Sequence, residues 1–195
     1  MVLHSPLRTL PQTLEAWQTL ESFVPKGKIR NLGISNTNLA VLQALWDNVK
    51  IKPSVVQNRF YRETEYDIPL RSFCRAHGIV YQSFWTLSAN PSLLRHPSVG
   101  RLAGHCDVSK EMGLYALVMA LEGTVVLNGT TTHMEEDVRG LEKVREWVGK
   151  EENRYEWEDV VKHFKDATGD NNPEAMPEES TQFEQRLPRH RYRNM

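Results

Sequence analysis

A few polar residues, widely spaced along the chain, have side chains suited to chemistry. They are His4, the pair Ser35-Asn36, Gln57, and the run Asn128-Gly129-Thr130-Thr131-Thr132. Phe84 and Trp85 add two large aromatics. The hydroxyl of Ser35 and the amides of Asn36 and Gln57 both donate and accept, so together they suit a carboxamide. An aromatic at Phe84 or Trp85 can stack on a planar ring. Backbone amides after Asn128, where a helix opens, can hold phosphate. His4 can donate to a carbonyl oxygen or exchange a proton near neutral pH. Each residue also has a plainer use. His4 can fix a turn, and Ser35-Asn36 can cap the next helix. Gln57 can satisfy backbone groups at a strand end, and Phe84 and Trp85 can fill a core. The Gly129–Thr132 run can be a turn with an N-cap. His105-Cys106-Asp107 has metal-ligand side chains, but adjacent residues diverge and no second ligand pair lies at a useful spacing.

These groups form one site only if the elements between them carry them to one edge. Short apolar runs occur at Met1–Leu3, Ile29–Ile34, Ser54–Gln57, Ile79–Tyr81 and Thr124–Leu127. Each is followed by a longer stretch with helical spacing, such as Leu14, Trp17 and Leu20, or Leu39, Leu42, Leu45 and Trp46. A loop is expected around Pro91 and Pro97, helix within 100–122, and a charged helix from His133 to Val148. Strand then helix, repeated without hairpin signals, predicts crossover connections and a parallel sheet of about five βα units. The strands read as apolar throughout, which predicts cover on both faces. In such sheets ligands gather outside the carboxyl ends of the strands, where His4, Ser35-Asn36, Gln57, Phe84-Trp85 and Asn128–Thr132 are expected to fall.

The 195 residues carry 24 Lys and Arg against 25 Asp and Glu, a net charge of -1 that argues against nucleic acid as a partner. No apolar run approaches the roughly 18–20 residues that span a bilayer. MVLHSPLRTL is too broken to read as a secretory signal, and the two cysteines suggest a reducing, cytoplasmic setting. Asn128-Gly129-Thr130 matches a glycosylation sequon, which is read as chance in that setting. From about Asp166 the chain turns polar and proline-bearing, acidic first and basic at its end. This predicts a domain over 1–165 and a disordered tail over 166–195.

Four ordered segments resemble the aldo-keto reductase family. Gly27-Lys28-Ile29-Arg30-Asn31-Leu32-Gly33-Ile34-Ser35-Asn36 is similar to the family's Gly-Lys…Arg…Gly-Ile-Ser-Asn element. Leu3-His4-Ser5-Pro6 resembles its Leu-His-x-Pro element, and Lys52-Pro53-Ser54-Val55-Val56-Gln57-Asn58 its Lys-Pro…Gln strand. Gly129 to Asp137 resembles the loop after its last strand. The resemblance implies a (β/α)8 TIM barrel that binds NADP or NAD across its top and reduces aldehydes or ketones to alcohols. It implies that Ser35, Asn36 and Gln57 hold the carboxamide and that Phe84, or Trp85 in another register, stacks on the nicotinamide. It further implies that His4 orients the carbonyl, and that Asn128, Gly129, Thr130, Thr131, His133, Glu136 and Asp137 meet the adenosine half.

The departures from the pattern matter as much. The family's catalytic tyrosine, lysine and aspartate lie in its first three βα units, which have no counterpart here, so the resemblance starts at the fourth strand. Tyr61, Tyr66, Tyr81 and Tyr115 fall elsewhere in the pattern. Asn128 and His133 stand where basic residues usually meet a 2′-phosphate, leaving NADP and NAD both open. Two expectations follow: a partial barrel with an oxidoreductase's cofactor site and little activity of its own, or a non-catalytic half-barrel. The second covers an incomplete gene model, a pseudoenzyme and a partner-binding module. In either case Val55, Val56, Val125 and Val126 are expected to line the interior, and open sheet edges to invite self-association.

Overall fold

The computed structural model describes residues 1–130 and 132–171. Thr131 and residues 172–195, most of the expected tail, lie outside the described residues. Five strands, β1 (Val2–Leu3), β2 (Gly33–Ser35), β3 (Val55–Arg59), β4 (Val80–Phe84) and β5 (Thr124–Val126), pair in parallel in their sequence order. The helices are α1 (Leu10–Glu21), α2 (Leu39–Asn48), α3 (Ile68–Ala76), α4 (Pro91–Leu94), α5 (Pro97–Cys106), α6 (Lys110–Met119), α7 (Met134–Val148) and α8 (Arg154–Thr168). This is the α/β architecture the alternation predicts.

Local chemistry sets the helix boundaries. Thr9 caps α1 by accepting from the Gln12 amide, and Asn38 caps α2 by accepting from Val41 at 2.9 Å. Pro91 and Pro97 do not mark a loop: each opens a helix, because the missing amide costs nothing in a first turn. Asp107, at φ 50°, ends α5, and Ser109 caps α6, so the stretch expected as helix holds two. The indole of Trp17 donates to the Ile51 carbonyl at 3.0 Å, tying α1 to the chain entering β3. Gly33 lets β2 approach closely, since a Cβ there would stand 2.7 Å from the Val55 carbonyl oxygen.

Helices cover one face of the sheet, against the expectation of cover on both. Ile34, Val56 and Tyr81 are buried with Leu42, Leu45, Leu70, Leu114 and Leu117 beneath them. Strand alternation turns Val55, Gln57 and Arg59 to the other face, paired in register with Val80, Gln82 and Phe84. There Val80 and Val125 are each 38% exposed. Val56 therefore belongs to the helix-side core, while Val55 and Val125 lie on the open face. Burial alternates along both strands, and the polar residues Gln57, Asn58 and Arg59 of β3 and Gln82 and Ser83 of β4 were the signal that they do not run apolar throughout.

The expected boundary at Lys165 falls inside α8, which runs to Thr168 and packs along α5. Arg101 of α5 clamps Glu156 and Asp159 of α8. Just past α8, Asp170 forms a two-pronged pair with Arg71 of α3, at 2.7 and 2.9 Å. Residues 166–171 are thus tied to the domain rather than trailing from it.

Candidate functional site

The register places Ser35, the last residue of β2, side by side with Gln57 and Gln82, the middle residues of β3 and β4, on the open face of the sheet. Ser35 Oγ donates to the Gln57 carbonyl at 2.6 Å. Asn36 takes a left-handed conformation, φ 51°, and its Nδ2 donates to the His4 carbonyl at 2.8 Å. That bond joins the ends of β1 and β2. Helix α2 is capped by Asn38, so Ser35 and Asn36 are not needed as caps. Gln57 Nε2 donates to Gln82 Oε1 at 3.0 Å and spends nothing on backbone groups. Among the described residues, Gln57 Oε1, Gln82 Nε2 and Asn36 Oδ1 have no partner. Two acceptors and a donor on one rim form the complement of a carboxamide, so this donor set fits a nicotinamide.

A buried network beneath the rim holds it in place. Asn58 Nδ2 donates to the Thr37 carbonyl at 2.7 Å, and its Oδ1 accepts from the Thr37 amide at 3.1 Å. The loop carrying Ser35 and Asn36 is thereby fixed to β3. Asn58 Nδ2 and Tyr81 OH both donate to Asp67 Oδ2, at 2.9 and 2.8 Å. Burial raises the Asp67 carboxyl above its ordinary range, against these hydrogen bonds and the Arg71 charge, which lower it. Burial, then the Asp67 charge, pushes the Tyr81 phenol well above its usual value. Tyr81 is a structural donor on the helix side. Asn90 Nδ2 performs a similar clamping task for the loop after β4, donating to the carbonyls of Phe60 and Thr86.

Phe84 ends β4 half-buried, and Trp85, at φ 59°, is 53% exposed. Neither is core. The Arg59 guanidinium lies 4.4 Å from the Trp85 ring centre and 6.0 Å from that of Phe84. One face of Trp85 is therefore covered, and Phe84 is the freer platform. Arg59 and Gln82 were missed in the sequence. Strand register would have revealed Gln82, while a lone arginine at a strand end reads as a solvated charge. His4 is exposed at the rim's other end, and its part in the network is its backbone carbonyl.

A second region lies beyond β4, where a cavity of about 970 Å³ opens between Trp85, Tyr115 and the loop after β5. Asn128 organises it. Its Oδ1 accepts from Tyr115 OH at 3.2 Å and from the Thr130 amide at 3.0 Å, and its Nδ2 donates to Asp137. His133 bonds Glu136 at 2.9 Å, and its amide donates to Thr130 Oγ1. Burial, with the charges of Asp137 and Glu111, raises the Tyr115 phenol. Gly129, Thr130, His133, Glu136 and Asp137 all line this cavity, and Thr131 lies outside the described residues. Two of the backbone amides after Asn128, those of Thr130 and His133, already donate to side chains. Helix α7 also opens on Glu135, Glu136 and Asp137, which satisfy its positive end. Among the described residues, no three of His, Cys, Asp and Glu group closely enough for a metal ion, and no helix is long and apolar enough to cross a membrane.

Comparison with known proteins gives these features a setting. The model of the aldo/keto reductase family matches residues 1–95. The NADPH-dependent D-xylose reductase of Meyerozyma guilliermondii is 33% identical over 87 residues, which is 44% of this chain and 27% of that protein. The glyoxal reductase of Bacillus subtilis is 32% identical over 90 residues, 46% of this chain and 32% of its own length. Among solved structures, the thermostable aldo-keto reductase Tm1743, complexed with the inhibitor epalrestat, superposes with a TM-score of 0.65 at 20% identity. It covers 86% of this chain, and the chain covers 58% of it. The aldo-keto reductase of Bombyx mori in complex with NADP gives a TM-score of 0.60 at 21% identity, over 74% of this chain and 54% of that one. The chain thus spans about a third of these curated relatives and little more than half of these solved chains. Its sheet and helices match part of a (β/α)8 barrel.

Proposed function

We propose, from the match of residues 1–95 to the aldo/keto reductase family model, that the strand-end rim binds a nicotinamide dinucleotide for carbonyl reduction. The observation that carries this reading is the open amide edge formed by Asn36, Gln57 and Gln82 beside Phe84. In this reading Asn36 and the two glutamines hold the carboxamide, and Ser35 braces Gln57 by its bond to the Gln57 carbonyl. Phe84 stacks on the ring. Asn128, Gly129, Thr130, His133, Glu136 and Asp137 meet the adenosine half. When bound, the reduced nicotinamide supplies a hydride to the carbonyl carbon of a small aldehyde or ketone. His4 donates an imidazole N–H to the carbonyl oxygen, which orients and polarises it.

Proton delivery is the weak point of this rim. Tyr81 OH is spent on Asp67 and Tyr115 OH on Asn128. Turnover by the 195-residue chain alone is accordingly expected to be slight. The test is titration with NADH and NADPH, followed by tryptophan fluorescence. A saturable quench that weakens at least tenfold in Gln57→Leu supports the reading, and no saturable quench up to millimolar dinucleotide refutes it. Robust aldehyde-dependent oxidation of NADPH that disappears in His4→Ala would make the chain an enzyme in its own right.

A second reading, a non-catalytic module that associates through its sheet, is favoured by the exposure of Val80 and Val125 on the uncovered face. Light scattering across concentration separates the two, since a monomer that binds dinucleotide leaves only the first.

A further inference from the structure

Among the described residues, the rim holds a cation that the dinucleotide reading does not use. Arg59 is the last residue of β3, two positions beyond Gln57 and therefore on the same face of the sheet. Its guanidinium carbon lies over the Trp85 ring, 4.4 Å from the ring centre, and 6.0 Å from that of Phe84. Its Nε is shielded from solvent and has no hydrogen-bond partner among the described residues. Nor does any carboxylate among the described residues come within ion-pair distance of it. The other arginine of this kind, Arg71, is fully engaged by Asp170 and the Tyr66 carbonyl. A guanidinium presents five donors in a rigid fork that matches carboxylate and phosphate oxygens. Stacking on an indole fixes the plane of that fork while leaving its edge open. Trp85 is held beneath it in a left-handed conformation, rare for a bulky residue, by a loop that Asn90 clamps.

We propose that Arg59 is an oxyanion-binding residue of the rim, taking a carboxylate or phosphate in the fork that Trp85 orients. Two sources supply such an oxyanion: a carboxylate beside the carbonyl of a 2-oxo acid substrate, or the pyrophosphate of a dinucleotide. Arg59 stands roughly 7 Å along β3 from Gln57, at about 3.3 Å per residue, within reach of either. The inference requires only the anion, so it stands or falls apart from the dinucleotide reading.

The experiment titrates the full chain with phenylglyoxylate, inorganic pyrophosphate and the neutral control benzaldehyde, reading tryptophan emission excited at 295 nm. A saturable change is expected with at least one anion and not with benzaldehyde. It should shift at least tenfold to weaker binding in Arg59→Gln and vanish as a signal in Trp85→Phe. Arg59→Lys keeps the charge but loses the flat fork, and should bind several-fold more weakly. That variant carries the test if Arg59→Gln does not fold by circular dichroism. Response to phenylglyoxylate assigns the carboxylate source, and response to pyrophosphate alone the cofactor source. The proposal is overturned if neither anion saturates by 10 mM, or if the Arg59 variants bind as the wild type does. Anion binding that depends on Arg59 without any dinucleotide binding would sink the cofactor reading and leave this one standing.

Discussion

Replacing Asp170 by alanine should expose how firmly residues past Lys165 are bound to the domain. Arg71 is 2% exposed and Asp170 10%, and their two contacts are 2.7 and 2.9 Å. Arg71 Nε also donates to the Tyr66 carbonyl at 2.7 Å, and Thr168 Oγ1 donates to Asp170 at 2.6 Å. The Arg71 guanidinium further lies 5.6 Å from the Phe60 ring. Asp170→Ala strands that guanidinium in the interior with its fork unmatched. Removing one partner of a buried pair costs about 3–5 kcal/mol. With a urea m-value of about 2 kcal/mol/M, the unfolding midpoint should fall by roughly 1.5–2.5 M. The assay is equilibrium urea unfolding by tryptophan fluorescence, with circular dichroism checking for a single transition. The double variant Arg71→Met/Asp170→Leu removes both charges and should recover most of the loss, because an apolar pair needs no desolvated charge. A midpoint shift below about 0.5 M in Asp170→Ala would refute the reasoning, since it would mean that Arg71 reaches water or another acid at little cost.

Three further outcomes follow from the geometry. Gly33→Ala should destabilise the chain by about 1–3 kcal/mol in a thermal melt, because its Cβ would meet the Val55 carbonyl oxygen at 2.7 Å and push β2 from β3. Asp67 has a folded-state pKa above its unfolded value of 3.8, so the folded state binds its proton more tightly and stability should fall as pH rises from about 4 through the raised value. Asp67→Asn should flatten that slope in urea titrations at several pH values, since the Asn58 and Tyr81 donors converge on one oxygen that an amide can replace. Cys74, whose thiol burial pushes up to about 12, should resist iodoacetamide at pH 8 until the protein unfolds, as read by mass spectrometry.

The alternation of strands and helices was legible because its signals are local. Apolar spacing such as Leu14, Trp17 and Leu20 marks a helix, and β-branched pairs such as Val55-Val56 mark strands, whereas the caps Thr9, Asn38 and Ser109 came only with the structure. The rim residues Ser35, Asn36 and Gln57 were legible because they are the polar groups that end those apolar runs, and the Asn36 amide ties them to the His4 carbonyl. What escaped depends on pairing between distant segments. Gln82 matters because register sets it against Gln57, and Arg59 because a left-handed turn lays Trp85 under it. The open sheet face was misread because a run such as Ile79-Val80-Tyr81 is equally apolar whether one side is covered or two. Helix α8 was missed because its apolar positions, Val160 and Phe164, sit among charges that only Arg101 on α5 explains.

The strands lie in the sheet in the order they occur in the chain. The rim is therefore a ruler read in series. His4 follows one edge strand and Asn128 the other, with four strand-to-strand steps between them, roughly 19 Å along the sheet at about 4.8 Å each. No hydrogen bond among the described residues runs directly from His4 to Asn128. The spacing between the two ends of the candidate site is the sum of four separate pairings, and an error in any one of them is passed on whole. A loosened β2–β3 contact would shift the far end of the rim while leaving every residue that touches a ligand unchanged. Ligand length, more than any single contact, is then the quantity through which this sheet would report damage to its own packing.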